Sequence, residues 1–312
     1  MSIISGVGFN TVSKDGHAES IIPDLTHYSD IGADYAELCM GTIDVAAGGK
    51  IIPNRLAALT AVTRLFPLKY SVHGLVCSNF MHSATLRQQV EVVKAFLQVC
   101  DAVGSKVLVH HTGFVSPDRP ADRAGADQRE FDALAEVAEV AAKYGVRIVL
   151  ENIFTVQAGE YRKTPRQVAD TVRALNHPNI AGLTDFSHAY IESKYKGLNF
   201  MNEIRAMAPI SGHLHVHDSF GVGQGDLKAF YAQELSALGI GDIHMPIGWG
   251  DIPFDQIFDE LTFLPGTILM MEISGRFRPE QAACLEKARK FAASVNSRSA
   301  ASQASSAAGA KA

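Results

Sequence analysis

The chain alternates short apolar runs with amphipathic stretches eight times, and this alternation restricts its fold more than any other feature. The apolar runs have the length and β-branched content of buried strands, and the stretches between them carry apolar residues at helical spacing. Eight consecutive strand–helix units predict an α/β fold of the (β/α)8 TIM barrel type rather than an open sheet. We place the strands at 3–9, 35–38, 70–73, 106–110, 147–150, 182–184, 213–216 and 267–271.

Length and composition predict one large domain followed by a short tail. Of the 312 residues, 47% are apolar, which is enough for a single core. We assign residues 1–296 to the barrel. Residues 297–312 are almost wholly Ala, Ser, Gly and Gln, so they lack apolar bulk to bury, and we predict a disordered tail. An oversized connection, residues 219–253, follows the seventh strand; long loops in compact domains are usually functional or disordered.

Charge, hydropathy and motifs argue against several classes of protein. The 28 Lys+Arg and 33 Asp+Glu residues give a net charge of −5, which provides no global attraction for polyanions. No uncharged apolar run is long enough for a membrane span. The first strand is not followed by Gly-x-Gly-x-x-Gly, and the chain has neither a Gly-x-Ser-x-Gly elbow nor a Walker loop. Dinucleotide binding and serine hydrolysis are therefore disfavoured.

The N-terminal residues and the cysteines predict a cytoplasmic protein. The first nine residues lack a basic segment and a long apolar segment, so they fit a first strand better than a signal peptide. The cysteines are scattered and form no Cys-x-x-Cys pair, which favours buried free thiols in a reducing compartment and disfavours a zinc–thiolate site. They are Cys39, Cys77, Cys100 and Cys284.

Four acidic or histidine residues end four successive apolar runs: Glu151, Asp185, His215 and Glu272. A carboxylate at the end of a buried strand is costly unless it has a partner. The C-terminal ends of the strands meet at one face of a TIM barrel, where active sites form. Oxygen ligands with one imidazole suit Mn²⁺, Mg²⁺, Co²⁺ or Zn²⁺. The sequence therefore predicts a divalent-cation site, with Mn²⁺ as the expected ion.

Further polar residues crowd the same predicted strand ends. Each of them alone is better explained as a structural hydrogen-bonding group than as a ligand, and Glu37 in particular fits a helix cap or an ion pair with a lysine. His213, His215 and His217 share one face of a strand, but at ~3.3 Å per residue they cannot all reach one ion. The additional strand-end and loop residues are Glu37, His73, His110, His111, Asn152, His188, Asp218, His244 and Arg276.

On these residues the chain resembles the xylose-isomerase-like barrel superfamily over roughly residues 1–295. That superfamily includes sugar isomerases, ketose 3-epimerases, inosose dehydratases and the apurinic endonuclease IV group. In the epimerase and isomerase branch, strands five to eight supply Glu, Asp, His and Glu to one metal ion. Glu151, Asp185, His215 and Glu272 match those positions, with His215 as the second His of Gly-His-x-His. The Asp-x-x-His spacing that ends at His188 also matches, and there the His contacts substrate.

The resemblance implies a sugar isomerase or epimerase that moves a proton at a carbon beside a carbonyl, through an enediolate. Glu151 and Glu272 would act as base and acid on opposite faces of the substrate, while the ion stabilises the negative charge. The resemblance also implies a homo-oligomer. Side chains that would contact the sugar are His73, His188, Arg276, Phe154 and Trp249.

Two alternatives remain open. The same carbanion can lose a β-substituent, as in inosose dehydratases or in lyases that cleave C-glycosides with a small partner subunit; His73, His111 or His244 would then protonate the leaving group. The endonuclease IV group instead binds several zinc ions. His73, His111, Glu151, Asp185, His188, His215, Asp242, His244 and Glu272 resemble its ligands, with His217 as a further candidate. His111-Thr-Gly113 replaces the usual His-Pro-Gly, and basic residues near the strand ends are sparse, so a nucleic-acid substrate is disfavoured.

Overall fold

A computed structural model describes residues 2–309 and confirms the predicted TIM barrel. Eight parallel strands pair in chain order, and the eighth pairs with the first to close the barrel. The strands are β1 (Ile4–Thr11), β2 (Tyr35–Cys39), β3 (Lys69–His73), β4 (Val107–His111), β5 (Arg147–Glu151), β6 (Ile180–Asp185), β7 (Ser211–Val216) and β8 (Thr267–Met271).

The α-helices follow the strands as a TIM barrel requires. They are α1 (Ile22–Asp30), α2 (Pro53–Thr63), α3 (Leu86–Val103), α4 (Ala126–Tyr144), α5 (Pro165–Leu175), α6 (Phe186–Lys196), α7 (Phe200–Met207), α8 (Ala232–Leu238), α9 (Phe254–Glu260) and α10 (Gln281–Gly309). Short 3-10 helices span Ala18–Ile21, Pro120–Arg123, Ala208–Ile210 and Gly275–Glu280. Two-residue strands pair Ala46–Ala47 with Lys50–Ile51 and Phe114–Val115 with Tyr161–Arg162.

The barrel interior changes from apolar to polar along its axis. Alternate residues of a strand share a face, and the inward series of several strands form an apolar cluster of their own. Each of these series continues to a buried polar residue at the C-terminal end. The series are Val107, Val109 and His111; Val149 and Glu151; Ala181, Leu183 and Asp185; and Ile268, Met270 and Glu272. The strand pattern itself therefore aims these polar side chains into the mouth.

The sequence missed helix α6, which begins immediately after β6. Asp185 is its N-cap, and the carboxylate Oδ1 accepts a hydrogen bond from the backbone N of His188 at 2.7 Å. The sequence places Asp185 and His188 at the end of the sixth predicted strand, and we expect no helix directly after them. An N-cap residue and the third residue of a helix have the same spacing. Asp185 and His188 therefore form the start of the helix and also belong to the cluster at the mouth.

Helix α10 continues past the predicted end of the domain at residue 296. The helix is assigned over Gln281–Gly309, and the disorder expected for residues 297–312 stays a prediction. Alanine has the highest helix propensity, so an Ala-rich extension of an existing helix needs no apolar contacts to remain helical. Residues 310–312 of the predicted tail lie outside the described residues.

The long connection after β7 is tied back onto the barrel by one buried carboxylate, that of Asp218. Its Oδ2 accepts from the backbone N of Gly248 at 2.7 Å, and its Oδ1 accepts from Ser219 N at 2.9 Å and Ile252 N at 3.3 Å. A Cβ on Gly250 would lie 2.5 Å from Asp218 Oδ1, so only glycine fits there without a shift. This set of contacts, the Asp218 latch, joins the two ends of the connection.

The remaining sequence expectations concern membranes and thiols. No helix within residues 2–309 is long and apolar enough to cross a membrane. All four cysteines are free, and Cys100 and Cys284 are buried as predicted. Cys77 is exposed, so the prediction of burial is wrong for that thiol, which lies in the connection after β3 rather than in a packed element.

A buried histidine–carboxylate cluster at the barrel mouth

The four predicted metal ligands meet around one ring nitrogen. His215 Nδ1 lies 3.4 Å from Glu151 Oε1, 3.5 Å from Glu272 Oε2 and 3.9 Å from Asp185 Oδ2. All four residues are buried. In the register of the sheet, Asp185 pairs directly with His215 on the neighbouring strand. We call Glu151, Asp185, His215 and Glu272 the inner cluster.

Asn152 fixes the position of Asp185 within the inner cluster. Its side-chain amide donates to the Asp185 carbonyl at 2.9 Å, and its Oδ1 accepts from the Asp185 N at 3.0 Å. Because the helix cap already uses Oδ1 of Asp185, Oδ2 is the oxygen that faces His215. The carboxylate is therefore held in one orientation before any ligand binds.

Glu37 contacts His215 at the ring nitrogen Nε2, whereas the carboxylates of the inner cluster contact it at Nδ1. Its Oε1 lies 3.0 Å from His215 Nε2, and its Oε2 accepts from Ser71 Oγ at 2.8 Å and lies 2.9 Å from His213 Nε2. If Nε2 donates its hydrogen to Glu37 and a cation displaces the proton on Nδ1, the Nδ1 lone pair would face that cation, which is the state a metal ligand needs. Burial by itself would raise the pKa of Glu37, but His215 and His213 hold it well below its usual range.

The carboxylate of Glu151 is surrounded by imidazoles yet makes no hydrogen bond. His73 Nε2 and His111 Nε2 lie 3.5 and 3.2 Å from its Oε2, and His188 Nδ1 lies 3.2 Å from its Oε1. Within the described side chains, neither oxygen of Glu151 nor Nδ1 of His215 has a hydrogen-bond partner of acceptable geometry. Buried polar atoms of this kind require another partner, and a cation fits the oxygen and nitrogen donors present.

A cation at the mouth would have to compete with protons on the surrounding imidazoles. Burial alone would raise the pKa of Glu151, but His111 and His215 hold it well below its usual range. Burial favours the neutral rings of His215 and His188, whereas the surrounding carboxylates raise both pKa values well above normal. A cation and these protons compete for the same negative charge, so binding of a cation would weaken as the pH falls.

A second polar group, Asp242 and His244, reaches the mouth from the long connection after β7, and we call it the outer pair. His244 Nε2 lies 3.0 Å from Asp242 Oδ2, and its Nδ1 donates to the Glu272 carbonyl at 2.8 Å. Its ring stacks on His217 at 4.1 Å with an angle of 3°. His244 has φ +54, a strained conformation for a residue other than glycine.

Electrostatic contacts also keep the outer pair charged. Burial would lower the pKa of His244, but Asp242 raises it to about 10. The imidazoles of His244, His188 and His217 hold the pKa of Asp242 well below its usual range against the effect of burial. The outer pair therefore carries a cationic ring and a carboxylate next to the backbone of Glu272.

The inner cluster and the outer pair form one continuous network. His188 Nε2 lies 3.3 Å from Asp242 Oδ2, and His217 Nε2 lies 3.1 Å from Asp185 Oδ2. Several overlapping sets of side chains bring ligand atoms within 4.8 Å of one another. They are Glu151, Asp185 and His215; Glu37, His73, His215 and Glu272; His73, His111 and Glu151; Asp185, His188 and His217; and His217, His244 and Glu272.

The predicted sugar-contacting residues outside the cluster lie in different surroundings. Arg276 lines a cavity of about 620 Å³ that His244 also lines. The ring of Phe154 lies 5.2 Å from that of His188, at the edge of the cluster. Trp249 is half exposed and packs on Phe277, with ring centres 5.2 Å apart, and it is not part of the cavity wall.

Comparisons with known proteins agree with this architecture. A family model described as a xylose isomerase-like TIM barrel matches residues 25–293. The chain belongs to the xylose isomerase-like TIM barrel family. An uncharacterised protein from Methanocaldococcus jannaschii is 23% identical to this chain over 181 residues. That match covers 58% of this chain and 55% of the relative, so the chain spans about half the length of this curated relative.

Solved structures share the fold of this xylose isomerase-like barrel over nearly their whole length. A D-tagatose 3-epimerase-like protein superimposes with a TM-score of 0.67 and 18% identity, covering 94% of this chain and 99% of that one. An IolI protein with a bound zinc atom gives a TM-score of 0.64 and 18% identity, covering 94% and 98%. At these identities the likeness establishes the fold.

Sequence reasoning missed several residues that shape the mouth of this xylose isomerase-like barrel. It left the role of Glu37 open and assigned none to Asp218. It also assigned no role to Asn10, near the C-terminal end of β1, or to Lys14, just after β1, and both line the cavity. Asn10 and Lys14 follow the end of the first predicted strand, residues 3–9, which is the sequence signal for them. The role of Asp218 depends on backbone donors 30 residues away, for which the sequence has no local signal.

Proposed function

We propose that the chain is a divalent-metal-dependent sugar isomerase or epimerase that moves a proton at a carbon beside a carbonyl group. The observation that carries the proposal is the convergence of three carboxylates on His215 Nδ1, at 3.4, 3.5 and 3.9 Å. The structural likeness to a D-tagatose 3-epimerase-like protein and to a zinc-containing IolI protein supports it.

The inner cluster would hold the ion through Glu151, Asp185, His215 and Glu272. The unpaired oxygens of Glu151 and the unpaired Nδ1 of His215 are the donor atoms that fit this role. A bound divalent ion acts as a Lewis acid and stabilises negative charge on a neighbouring substrate oxygen. We propose Mn²⁺, because a site of three carboxylates and one imidazole is richer in oxygen than most structural zinc sites.

The two glutamates of the inner cluster would transfer the proton. Glu151 and Glu272 come from β5 and the end of β8, and they approach His215 Nδ1 from different strands. One carboxylate removes the proton from carbon. In an epimerase the other returns a proton to the opposite face; in an isomerase the proton goes to the neighbouring carbon. The low pKa of Glu151 keeps it in the proton-accepting form.

The surrounding side chains would orient the sugar. We assign His73 and His111 to the Glu151 side of the mouth, where His111 is close enough to exchange a proton with the carboxylate. His188 and Arg276 would hold substrate oxygens. Phe154 would provide an apolar wall beside His188, and Trp249 would reach the substrate only at the rim.

Incubation with ketoses in D₂O tests the proposed proton transfer directly. The protein, reconstituted with Mn²⁺, should place solvent deuterium on the carbon beside the carbonyl of at least one ketose or ketose derivative, as followed by NMR and mass spectrometry. Removal of the ion with a chelator should stop the exchange, and Mn²⁺ or Co²⁺ should restore it. If exchange is undiminished after complete removal of the ion, the proposal is wrong.

Elimination is a second candidate, and the outer pair favours it. His244 carries a proton at neutral pH because its pKa is raised to about 10, and its ring lies next to Glu272. A cationic imidazole there can donate a proton to a leaving group after a carboxylate has taken the proton from carbon. In the same D₂O incubation, loss of water or of an aglycone from the substrate would identify a lyase.

The overlapping ligand sets support a third candidate, a multi-ion phosphodiesterase. Two or three ions per chain and cleavage of DNA at an abasic site would establish this activity. One ion per chain and intact DNA would exclude it, and we expect that result because of the net charge of −5.

Location and assembly remain proposals as well. We propose a cytoplasmic location, which the four free cysteines support. We also propose self-association or a small partner subunit. Large apolar side chains on the long connection support this, since Phe230, Tyr231 and Leu238 are strongly exposed. Light scattering of the purified protein would give the mass of the assembly.

A further inference from the structure

The cavity of about 620 Å³ opens beside the inner cluster, on the side of β1 and β8. The end of β1 and the residues after it, helix α1, the long connection with helix α8, and the connection after β8 form its walls. His244 lines the cavity, and its Nδ1 lies 3.9 Å from Glu272 Oε2. A substrate whose reacting carbon lies at Glu272 would therefore extend into this cavity.

Two carboxylates line the cavity, and both already have cationic partners. Asp24 Oδ1 lies 3.4 Å from Arg278 Nη1. Asp242 Oδ2 lies 3.0 Å from His244 Nε2 and 3.3 Å from His188 Nε2. These contacts leave neither carboxylate as the main partner for a further cation.

Lys14 and Arg276 are the cations that remain in the cavity wall. Arg276 is half-buried; its Nη2 donates to Ser236 Oγ at 2.7 Å, and its guanidinium lies 4.5 Å from the ring centre of Phe277. Both of these partners are neutral. Among the described side chains, no carboxylate lies within ion-pair distance of Arg276, whereas burial raises the pKa of Asp24 and the exposed Lys14 is near enough to that carboxyl to oppose the rise. A half-buried guanidinium without a counter-charge is ready to bind an anion.

We propose that this cavity is a substrate subsite for an anionic substituent on the sugar, a phosphate or a carboxylate, bound by Arg276 and Lys14. This inference rests on the proposed function, because it places the substrate's reacting carbon at the inner cluster. The guanidinium of Arg276 matches the oxygens of either anion with two parallel hydrogen bonds. The position also agrees with a common property of TIM barrels, in which loops after strands seven and eight bind phosphate groups.

The shape of the cavity favours a small molecule over a polymer. Val12, Leu235, Ile243 and Ile273 add apolar surface around the two cations. A pocket of this size is typical for a small ligand. A nucleic acid would instead require a row of basic residues along its backbone, and the chain as a whole is acidic.

Binding of three hexose probes to the full chain tests the subsite. The protein is first treated with a chelator, so that an anion cannot bind through a metal ion. Calorimetry then compares D-glucose 6-phosphate, D-glucuronate and D-glucose. We expect at least one charged probe to bind about tenfold or more tightly than glucose, because each charge-assisted contact strengthens binding severalfold.

Variants show whether the named residues cause this preference. Arg276→Gln keeps a donor for Ser236 but loses the charge, and it should remove the preference for the charged probe. Lys14→Gln should reduce it severalfold. Arg64→Gln is the matched control, because Arg64 lies near the first residues of β2 and β3 at the other end of the barrel; it should change binding less than twofold. Thermal unfolding verifies that each variant is folded.

The outcomes show which anion the protein prefers and whether Arg276 and Lys14 are responsible for that preference. Tighter binding of glucose 6-phosphate identifies a phosphate site, and tighter binding of glucuronate identifies a carboxylate site. Equal binding of all three probes, or an equal loss in Arg276→Gln and Arg64→Gln, would overturn the proposal. None of these measurements requires turnover, so loss of the anion preference and absence of deuterium exchange report separately on the subsite and on the proposed function.

Discussion

The inner cluster and the outer pair lie side by side at the mouth, but the fold positions them in different ways. The barrel strands carry the inner cluster, and the strand register places Asp185 opposite His215. The outer pair lies on a connection that follows β7, and the Asp218 latch holds its ends together. His244 also adopts a left-handed backbone conformation, which none of the inner residues does.

From this difference we infer that the inner cluster and the outer pair have different roles within one polar network. Residues fixed by the barrel can hold an ion with little reorganisation, because their positions follow from the closed sheet. Residues on a latched connection can move with the substrate or release a product. We therefore expect substitutions in the inner cluster to affect the ion and the chemistry, and substitutions in the outer pair to affect turnover more than ion binding.

Substitution of Glu272 should have the largest effect on turnover. Glu272→Gln keeps an oxygen ligand but cannot exchange a proton with carbon. We expect deuterium exchange to fall by at least about 10³-fold, with little change in the unfolding temperature. Glu286→Gln, an exposed substitution on α10, is the control and should retain full activity. Normal exchange in Glu272→Gln would remove this carboxylate from the mechanism.

Substitution of Glu37 should weaken ion binding without removing any inner ligand. Glu37→Gln loses the negative charge that orients His215 through Nε2. Outer partners of metal-bound histidines typically contribute about 10–100-fold to affinity, and we expect a loss in that range for Mn²⁺ by calorimetry. Glu19→Gln, at an exposed position, should bind Mn²⁺ like the wild type. Unchanged affinity in Glu37→Gln would mean that the barrel alone orients His215.

Substitution of Asp242 tests whether the two groups are separate. In Asp242→Asn the partner of His244 loses its charge. We expect deuterium exchange to fall roughly tenfold, while the affinity for Mn²⁺ changes less than about threefold. Residues that contact metal ligands without binding the metal typically contribute about 10–100-fold to activity, and this expected loss lies at the lower end of that range. If Asp242→Asn removes one ion from a chain that binds two or three, the outer pair is itself a metal ligand and the comparison fails.

Substitution of Asp218, the residue that forms the latch, should lower the stability of the protein more than it lowers turnover. Asp218→Asn loses charge-assisted hydrogen bonds to the backbone of Gly248 and Ile252. We expect the free energy of unfolding to fall by about 1–3 kcal/mol, with faster hydrogen exchange in residues 219–251. Asp226→Asn, exposed in the same connection, should change it by less than about 0.5 kcal/mol. Equal hydrogen exchange in both variants would show that Asp218 does not hold the connection.

The comparison also explains what the sequence could predict. The inner residues were predictable because each one ends an apolar run, and strand ends meet at one face of a TIM barrel. Asp242 and His244 were recognisable only through a family resemblance, since no local pattern places a loop residue next to Glu272. Their roles, like those of the inner residues, stay predictions until they are tested.

Other features escaped prediction because they depend on contacts between distant residues or on competing local preferences. The support of His215 by Glu37 joins β7 to β2, 178 residues apart. Helix α6 was missed because its first turn has the polar residues expected at the end of a strand. Each of these two features has a physical cause that the sequence does not display locally: tertiary pairing for Glu37 and helix capping for α6.

Metal analysis of the purified chain tests the inner cluster most directly. The wild type, saturated with Mn²⁺ and freed of excess ion, should contain about one ion per chain by mass spectrometry. His215→Ala should contain almost none while remaining folded, and His177→Ala, a histidine outside the mouth that contacts Glu139, should match the wild type. A wild type that retains no ion, or a His215→Ala variant that retains it fully, would contradict the proposed site.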